Sequence, residues 1–165
     1  MFRKVKEYII KKTNAARLLD RHKVSYELLE YKVDEDDLSA IHVAELTGVD
    51  IKTVFKTLVC LDEKNQPLVA CIAGDDELDL KALAKAAGCK KCTMLPLKDV
   101  LKTTGYIRGG CSPFGMKKLY PTFLDESALS QSDILVSAGQ RGLQLKIKPQ
   151  NILDILNAKS TKLVM

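Results

Sequence analysis

The sequence predicts an α+β fold, a single domain in which one mixed β-sheet of about six or seven strands is flanked by peripheral helices. Two observations carry that prediction. Short apolar runs with strand character recur at 24–31, 54–61, 68–73, 92–95, 119–124, 134–138 and 143–147, and short helical stretches bounded by capping residues lie between them. The chain has 165 residues, 46% hydrophobic and 28% charged, which suits one globular domain. At this length roughly 70% of the unfolded surface is buried on folding, enough for a core without metal or disulfides.

Each element follows from its residues. Residues 1–12 read as a basic, helix-capable extension, and the domain proper runs from 13 to 165. Thr13 caps a helix reaching about Lys23, with Ala16, Leu18 and Leu19 as its apolar stripe. VSYELLEY follows as a strand, then an acidic loop at Asp34 to Asp37. Ser39 caps a short helix that Gly48 stops, and Asp50 caps one further turn. VFKTLVCL and LVACIA form a hairpin across the turn DEKNQP. Asp79 and Gly88 bound the helix LKALAKAA, Cys92 to Leu95 is a short strand, and Pro96 sits where a helix opens. Gly105, Gly109, Gly110, Pro113 and Gly115 crowd one stretch too closely for regular structure. Of the last strands, those at 134–138 and 143–147 are joined by a Gly139–Gly142 turn, and Pro149 with Asn151 opens a final helix.

Several classes are excluded at the outset. No run of about 18 apolar residues exists to span a membrane. The basic start, MFRKVKEYIIKK, lacks the apolar stretch and small-residue cleavage site of a secretory signal, so a cytoplasmic location is expected. The five cysteines are odd in number and cannot all pair within the chain. With only His22 and His42, there is little material for a histidine metal centre or triad. Charge is distributed unevenly. Residues 20–79 hold fifteen Asp and Glu against six Lys and Arg, whereas 81–118 hold nine Lys and Arg against Asp99 alone. That concentration fits either a polyanion footprint or a solvated lysine-rich face.

Lys56 is the most informative single residue. In an extended run it shares a face with Leu58 and Cys60 while Phe55, Thr57 and Val59 take the other. A lysine in line with apolar neighbours is either a desolvated electrostatic anchor or an edge-strand residue reaching solvent. In GGCSPFG, Gly109, Gly110 and Gly115 permit close backbone approach to a carbonyl or phosphate oxygen, and Ser112 adds a hydroxyl donor. No Gly-Lys-Ser/Thr follows, so this is not a nucleotide-binding P-loop. Ser137, Gly139 and Arg141 lie in a turn that offers backbone donors and a guanidinium, or is a plain hairpin. Cys89 and Cys92 have redox or metal spacing, but no second pair accompanies them. Cys111 is a nucleophile candidate without a histidine nearby in sequence.

The stretches NAARLLD (14–20), VFKTLV (54–59), TGYIRGGCSPFGMKK (104–118) and VSAGQRGL (136–143) together resemble the YbaK/EbsC family of aminoacyl-tRNA deacylases, in order and spacing, from about Thr13 to the end of the chain. The resemblance implies a trans-acting enzyme on mischarged tRNA, chiefly cysteinyl-tRNA(Pro), with prolyl-tRNA synthetase as a possible partner and no cofactor or metal. It places Lys56 on the essential lysine with Thr57 beside it. Gly109, Gly110, Ser112 and Gly115 fall on the substrate loop and Tyr31 on the pocket tyrosine. An acidic pocket residue of some relatives is Gln144 here. Residues 1–12 have no counterpart.

Ester hydrolysis requires that the carbonyl be held, an oxyanion stabilised and bulk water excluded. Lys56 and the glycine-loop N–H groups are the expected donors, and the basic 81–118 stretch the expected dock for the acceptor stem. No nucleophile–base pair is evident in the chain, so the substrate's own thiol becomes the candidate nucleophile. The alternatives are an Ala-tRNA(Pro) deacylase of the same superfamily and a non-catalytic tRNA- or synthetase-binding module.

Overall fold

The computed structural model describes residues 3–4 and 12–165. In chain order the elements are β1 (Arg3–Lys4), α1 (Asn14–Arg21), β2 (Glu27–Glu30), α2 (Ala40–Thr47), β3 (Phe55–Asp62), β4 (Pro67–Ala73), α3 (Leu80–Ala87), β5 (Cys92–Met94), α4 (Val100–Thr104), β6 (Thr122–Asp125), β7 (Ile134–Ser137), β8 (Leu143–Ile147), α5 (Pro149–Leu156) and β9 (Lys159–Thr161), with 3-10 turns at Ile51–Thr53, Leu97–Asp99 and Glu126–Ser130. The α+β class and the peripheral helices are as expected. The strands differ in arrangement, dividing into an antiparallel sheet β1-β2-β8-β7 and a mixed sheet β5-β3-β4-β6-β9. Arg3–Lys4, inside the stretch read as a helix-capable extension, pair with β2; residues 1–2 and 5–11 lie outside the described residues.

The caps act as their residue types require. Thr13, Ser39 and Asp79 each accept a backbone N–H of the first turn of α1, α2 and α3, satisfying donors that have no partner inside the helix. Gly48 and Gly88 close α2 and α3 at φ +72° and +73°, a region that disfavours any residue with a Cβ.

The β3–β4 hairpin is covered on both faces. Phe55, Val69, Cys71 and Ala73 join the main core with Leu19, Phe114, Val136 and Leu145, which fills the space between the sheets. Leu58, Cys60, Ala70 and Ile72 join a second cluster with Leu83 of α3, Phe123 and Leu163. A third cluster packs Val43 of α2 on Val54 and Leu135, where one isolated parallel bridge, Val54 to Leu135, joins the two sheets. That seam positions the site. Among the described residues no helix is long and apolar enough to cross a membrane.

Candidate active site

β5 covers β3 only over Cys60–Asp62, and between there and the isolated bridge at Val54 the same edge meets no strand among the described residues. A cavity of about 300 Å³ opens on this bare edge. Its walls come from Tyr31, from Leu38 to Ala40 and Val43 around α2, from Leu97 and Val100 around α4, and from Arg108, Gly109 and Cys111. Lys56 and Thr57 line it from β3, Ser137 from β7 and Gln144 from β8. Along an antiparallel ladder, residues two apart turn their N–H and C=O to the same edge. The carbonyl of Val59 receives the Leu95 N–H at 3.0 Å on the β5 side, so the N–H and C=O of Thr57 also point away from β4, toward the cavity.

Lys56 is neither fully desolvated nor a surface lysine. It is half-buried, and its Nζ donates to the Gly74 carbonyl at 3.1 Å. An ammonium has three donors, which leaves two for a ligand. Among the described residues no Asp or Glu lines the cavity. Gln144 is 6% exposed and its amide has no hydrogen-bond partner among the described residues, so both ends of that amide are available inside the cavity.

Five expected site residues therefore converge on one cavity: Tyr31, Lys56, Thr57, Gly109 and Ser137. The other five stand behind it or on its rim. A Cβ on Gly110 would approach Gln140 Cα to 3.0 Å and the Arg141 nitrogen to 3.2 Å, so this glycine lets two turns pack together. Gly115 (φ +76°) and Gly139 (φ +104°) lie against Tyr106. Ser112 is fully buried and its Oγ accepts the Phe114 N–H at 3.2 Å, closing a tight turn. Arg141 is a clasp: its Nε donates to the Arg108 carbonyl at 2.9 Å and its Nη1 pairs with Glu35 at 2.5 Å, tying the acidic loop to the glycine-rich loop.

What anchors the glycine-rich loop was missed at the level of sequence. Tyr106 is buried and donates from its hydroxyl to the Phe114 carbonyl at 2.6 Å, and Phe114 is fully enclosed in the main core. Removing such an aromatic costs roughly 3–5 kcal/mol. The apolar walls from α2 and α4 were also not anticipated, because nothing local distinguishes a cavity wall from an ordinary helix face.

Four of the five cysteines are chemically quiet. Burial pushes the Cys111 thiol up to about 11 and the Cys60 thiol to about 11, and that of Cys71 to about 12. Cys92, 3.6 Å from the Cys89 sulfur, is likewise raised by burial despite the neighbouring lysines, and among the described residues no group of three His, Cys, Asp or Glu could hold a metal ion. Cys111 is therefore protonated at neutral pH although it lines the cavity. Cys111→Ser is expected to leave turnover within about twofold, and alkylation of Cys111 to speed up steadily as pH rises toward about 11, since only the thiolate reacts. Loss of turnover in the serine variant at pH 7 would identify an enzyme-borne nucleophile.

The cavity at the seam of the two sheets can be set beside known proteins. Residues 34–155 match the profile of the aminoacyl-tRNA editing domain. The chain is 54% identical over 148 residues to a protein of Enterococcus faecalis (strain ATCC 700802 / V583) provisionally named Cys-tRNA(Pro)/Cys-tRNA(Cys) deacylase EbsC, covering 90% of each. It is 31% identical over 104 residues to the proline–tRNA ligase of Geotalea daltonii (strain DSM 22248 / JCM 15807 / FRC-32), covering 63% of this chain and 18% of the ligase. The fold superimposes with a TM-score of 0.79 on a crystal structure provisionally described as a trans-editing enzyme for prolyl tRNA synthetase, at 21% identity, covering 94% of this chain and 99% of that one. The chain belongs to the YbaK/EbsC family of aminoacyl-tRNA editing domains, as its four sequence stretches indicated.

Proposed function

We propose that this protein hydrolyses mischarged tRNA in trans, with cysteinyl-tRNA(Pro) as its substrate and residues 13–165 as the catalytic unit. The observation that carries this reading is the convergence of Lys56 Nζ, the Thr57 backbone facing away from β4 and the Gln144 amide on one small, apolar-walled cavity. Such a cavity suits a small side chain attached to an ester, and its volume of about 300 Å³ admits little bulk water beside it.

The residues then divide the work. The Thr57 N–H and the Lys56 ammonium donate to the ester carbonyl and to the oxyanion that forms from it. The Thr57 carbonyl and Gln144 Oε1 accept from the substrate's α-amino group. With no carboxylate in the walls among the described residues and the Lys56 ammonium alongside, the free amine is held better than its protonated form. The cavity supplies no ionised nucleophile, so the substrate thiol attacks its own ester carbonyl. A sulfur–carbon bond forms, the carbon–oxygen ester bond breaks, and the tRNA ribose oxygen leaves with the thiol proton. Water then opens the resulting thiolactone to free cysteine.

The ligase relative supports prolyl-tRNA synthetase as the source of substrate and as a passing partner, and both point to a cytoplasmic location. The test is single-turnover hydrolysis of Cys-tRNA(Pro) and Ala-tRNA(Pro) by the purified protein. Faster release of cysteine by an order of magnitude or more is expected. Preference for alanine would transfer the protein to the alanine-directed branch, and release of neither would leave a binding module.

A further inference from the structure

A second, larger depression of about 750 Å³ lies on the far side of α4. It is a groove lined by Lys102, Thr103, Lys117, Lys118, Leu119 and Tyr120, with Asp62 as the only acidic residue in its wall among the described residues. We propose that this groove holds the phosphate backbone of the RNA strand whose acylated end occupies the cavity; the proposal rests on the tRNA reading above.

Three observations carry it. The first is position. Cavity and groove share α4 as their dividing wall: Val100 faces the cavity, while Lys102 and Thr103 face the groove. A helix is about 10 Å across, so a chain leaving the cavity reaches the groove in one or two nucleotide steps. The second is charge. Among the described residues Lys117 and Lys118 are exposed and make no ion pair, and Lys102, 74% exposed, pairs only with the partly buried Asp99 three positions back. The lysine end of that pair stays in water and can turn to a stronger anion. The third is rigidity. The Lys117 N–H donates to the Thr104 carbonyl at 3.1 Å, its stem lies over Gly105, and the Tyr120 hydroxyl donates to the Thr103 carbonyl at 2.6 Å. The lysines thus project from a fixed wall.

The crest between cavity and groove adds a second kind of contact. Leu97 and Leu101 are 64% and 55% exposed, and Leu119 in the groove is 67% exposed. Apolar side chains set among lysines suit the sugar and base faces of an unpaired strand between its phosphates, whereas a protein partner of acidic character would leave them against water. Of the basic residues between 81 and 118, this assigns RNA docking to the three that share the α4 wall.

The experiment combines Lys102→Ala, Lys117→Ala and Lys118→Ala in one chain and compares it with wild type on three ligands. Uncharged tRNA(Pro) is titrated across a salt series, and hydrolysis is followed on charged tRNA and on cysteinyl-adenosine, the terminal nucleoside ester alone. The slope of log affinity against log salt is expected to shrink by about two to three, because each lost phosphate contact removes about 0.7–0.9. kcat/KM on charged tRNA falls at least tenfold through KM, and cysteinyl-adenosine is cleaved as by wild type. Unchanged tRNA affinity with an unchanged salt slope would overturn the proposal and leave the groove for a protein partner. The uncharged-tRNA titration decides this even if neither ester is hydrolysed, an outcome that would instead remove the deacylase reading.

Discussion

Lys56→Ala is expected to remove deacylation almost completely while the protein stays folded. Among the described residues the ammonium is the only side-chain cation held inside the cavity by a fixed bond, to the Gly74 carbonyl at 3.1 Å, and two of its donors remain for a ligand. Loss of one preorganised donor to a developing oxyanion lowers kcat by about a hundred- to a thousandfold. The structural cost is smaller. One hydrogen bond from an ammonium to a carbonyl is forfeited, worth about 1.5–3 kcal/mol against a typical stability of about 5–15 kcal/mol. Circular dichroism of the variant should therefore stay close to wild type while single-turnover rates collapse. Near-native turnover by a folded Lys56→Ala protein would show that the backbone of Thr57 suffices.

Gly115→Ala is expected to have the largest effect on stability, for a reason unconnected with substrate. Gly115 has φ +76°, and its Cβ would lie 2.8 Å from the Tyr106 hydroxyl, 2.9 Å from the carbonyl carbon of Asn14 and 3.0 Å from the nitrogen of Ala15. Two of those neighbours are backbone at the start of α1, and the third is a buried hydroxyl already engaged with the Phe114 carbonyl. None can yield cheaply. Left-handed strain of about 1–2 kcal/mol adds to the displacement of this packing, for a total of about 3 kcal/mol or more. At this chain length that lowers Tm by roughly 6–12 °C. A variant melting within about 2 °C of wild type would return Gly115 to the substrate loop proper.

These two residues show what the sequence could and could not disclose. Helix boundaries were legible because a cap is local: Thr13, Ser39 and Asp79 act within three residues of themselves. Lys56 stood out in sequence as a lysine interrupting an apolar face, but its half-buried place against the Gly74 carbonyl lies between the two readings that face allowed. The division into two sheets was not, since it depends on β2 pairing with β8, Leu28 opposite Leu145, across most of the chain. The strand Lys159–Thr161 and the turn Glu126–Ser130 are too short to leave a periodic signal. Gly109 lines the cavity, but Gly110 does not, for a physical reason. A glycine that lets backbone approach a ligand and one that lets two turns pack look identical in sequence, and Gly110, against Gln140, is of the second kind. Arg141 likewise reads as a ligand group until Glu35 and the Arg108 carbonyl are seen to occupy it.

The central claim is that the substrate brings its own nucleophile to a cavity that only orients and polarises the ester. Every thiol of the chain whose titration is displaced is raised by burial, and neither histidine lines the cavity. The decisive measurement is paired binding and single-turnover hydrolysis of cysteinyl- and seryl-tRNA(Pro) by the wild-type protein. The two acyl groups differ by one atom, sulfur for oxygen, so they should bind alike, while the seryl ester, with a far weaker nucleophile, should be cleaved slower by orders of magnitude. Equal cleavage rates would contradict the account and place the nucleophile on a water held by Lys56 and Gln144.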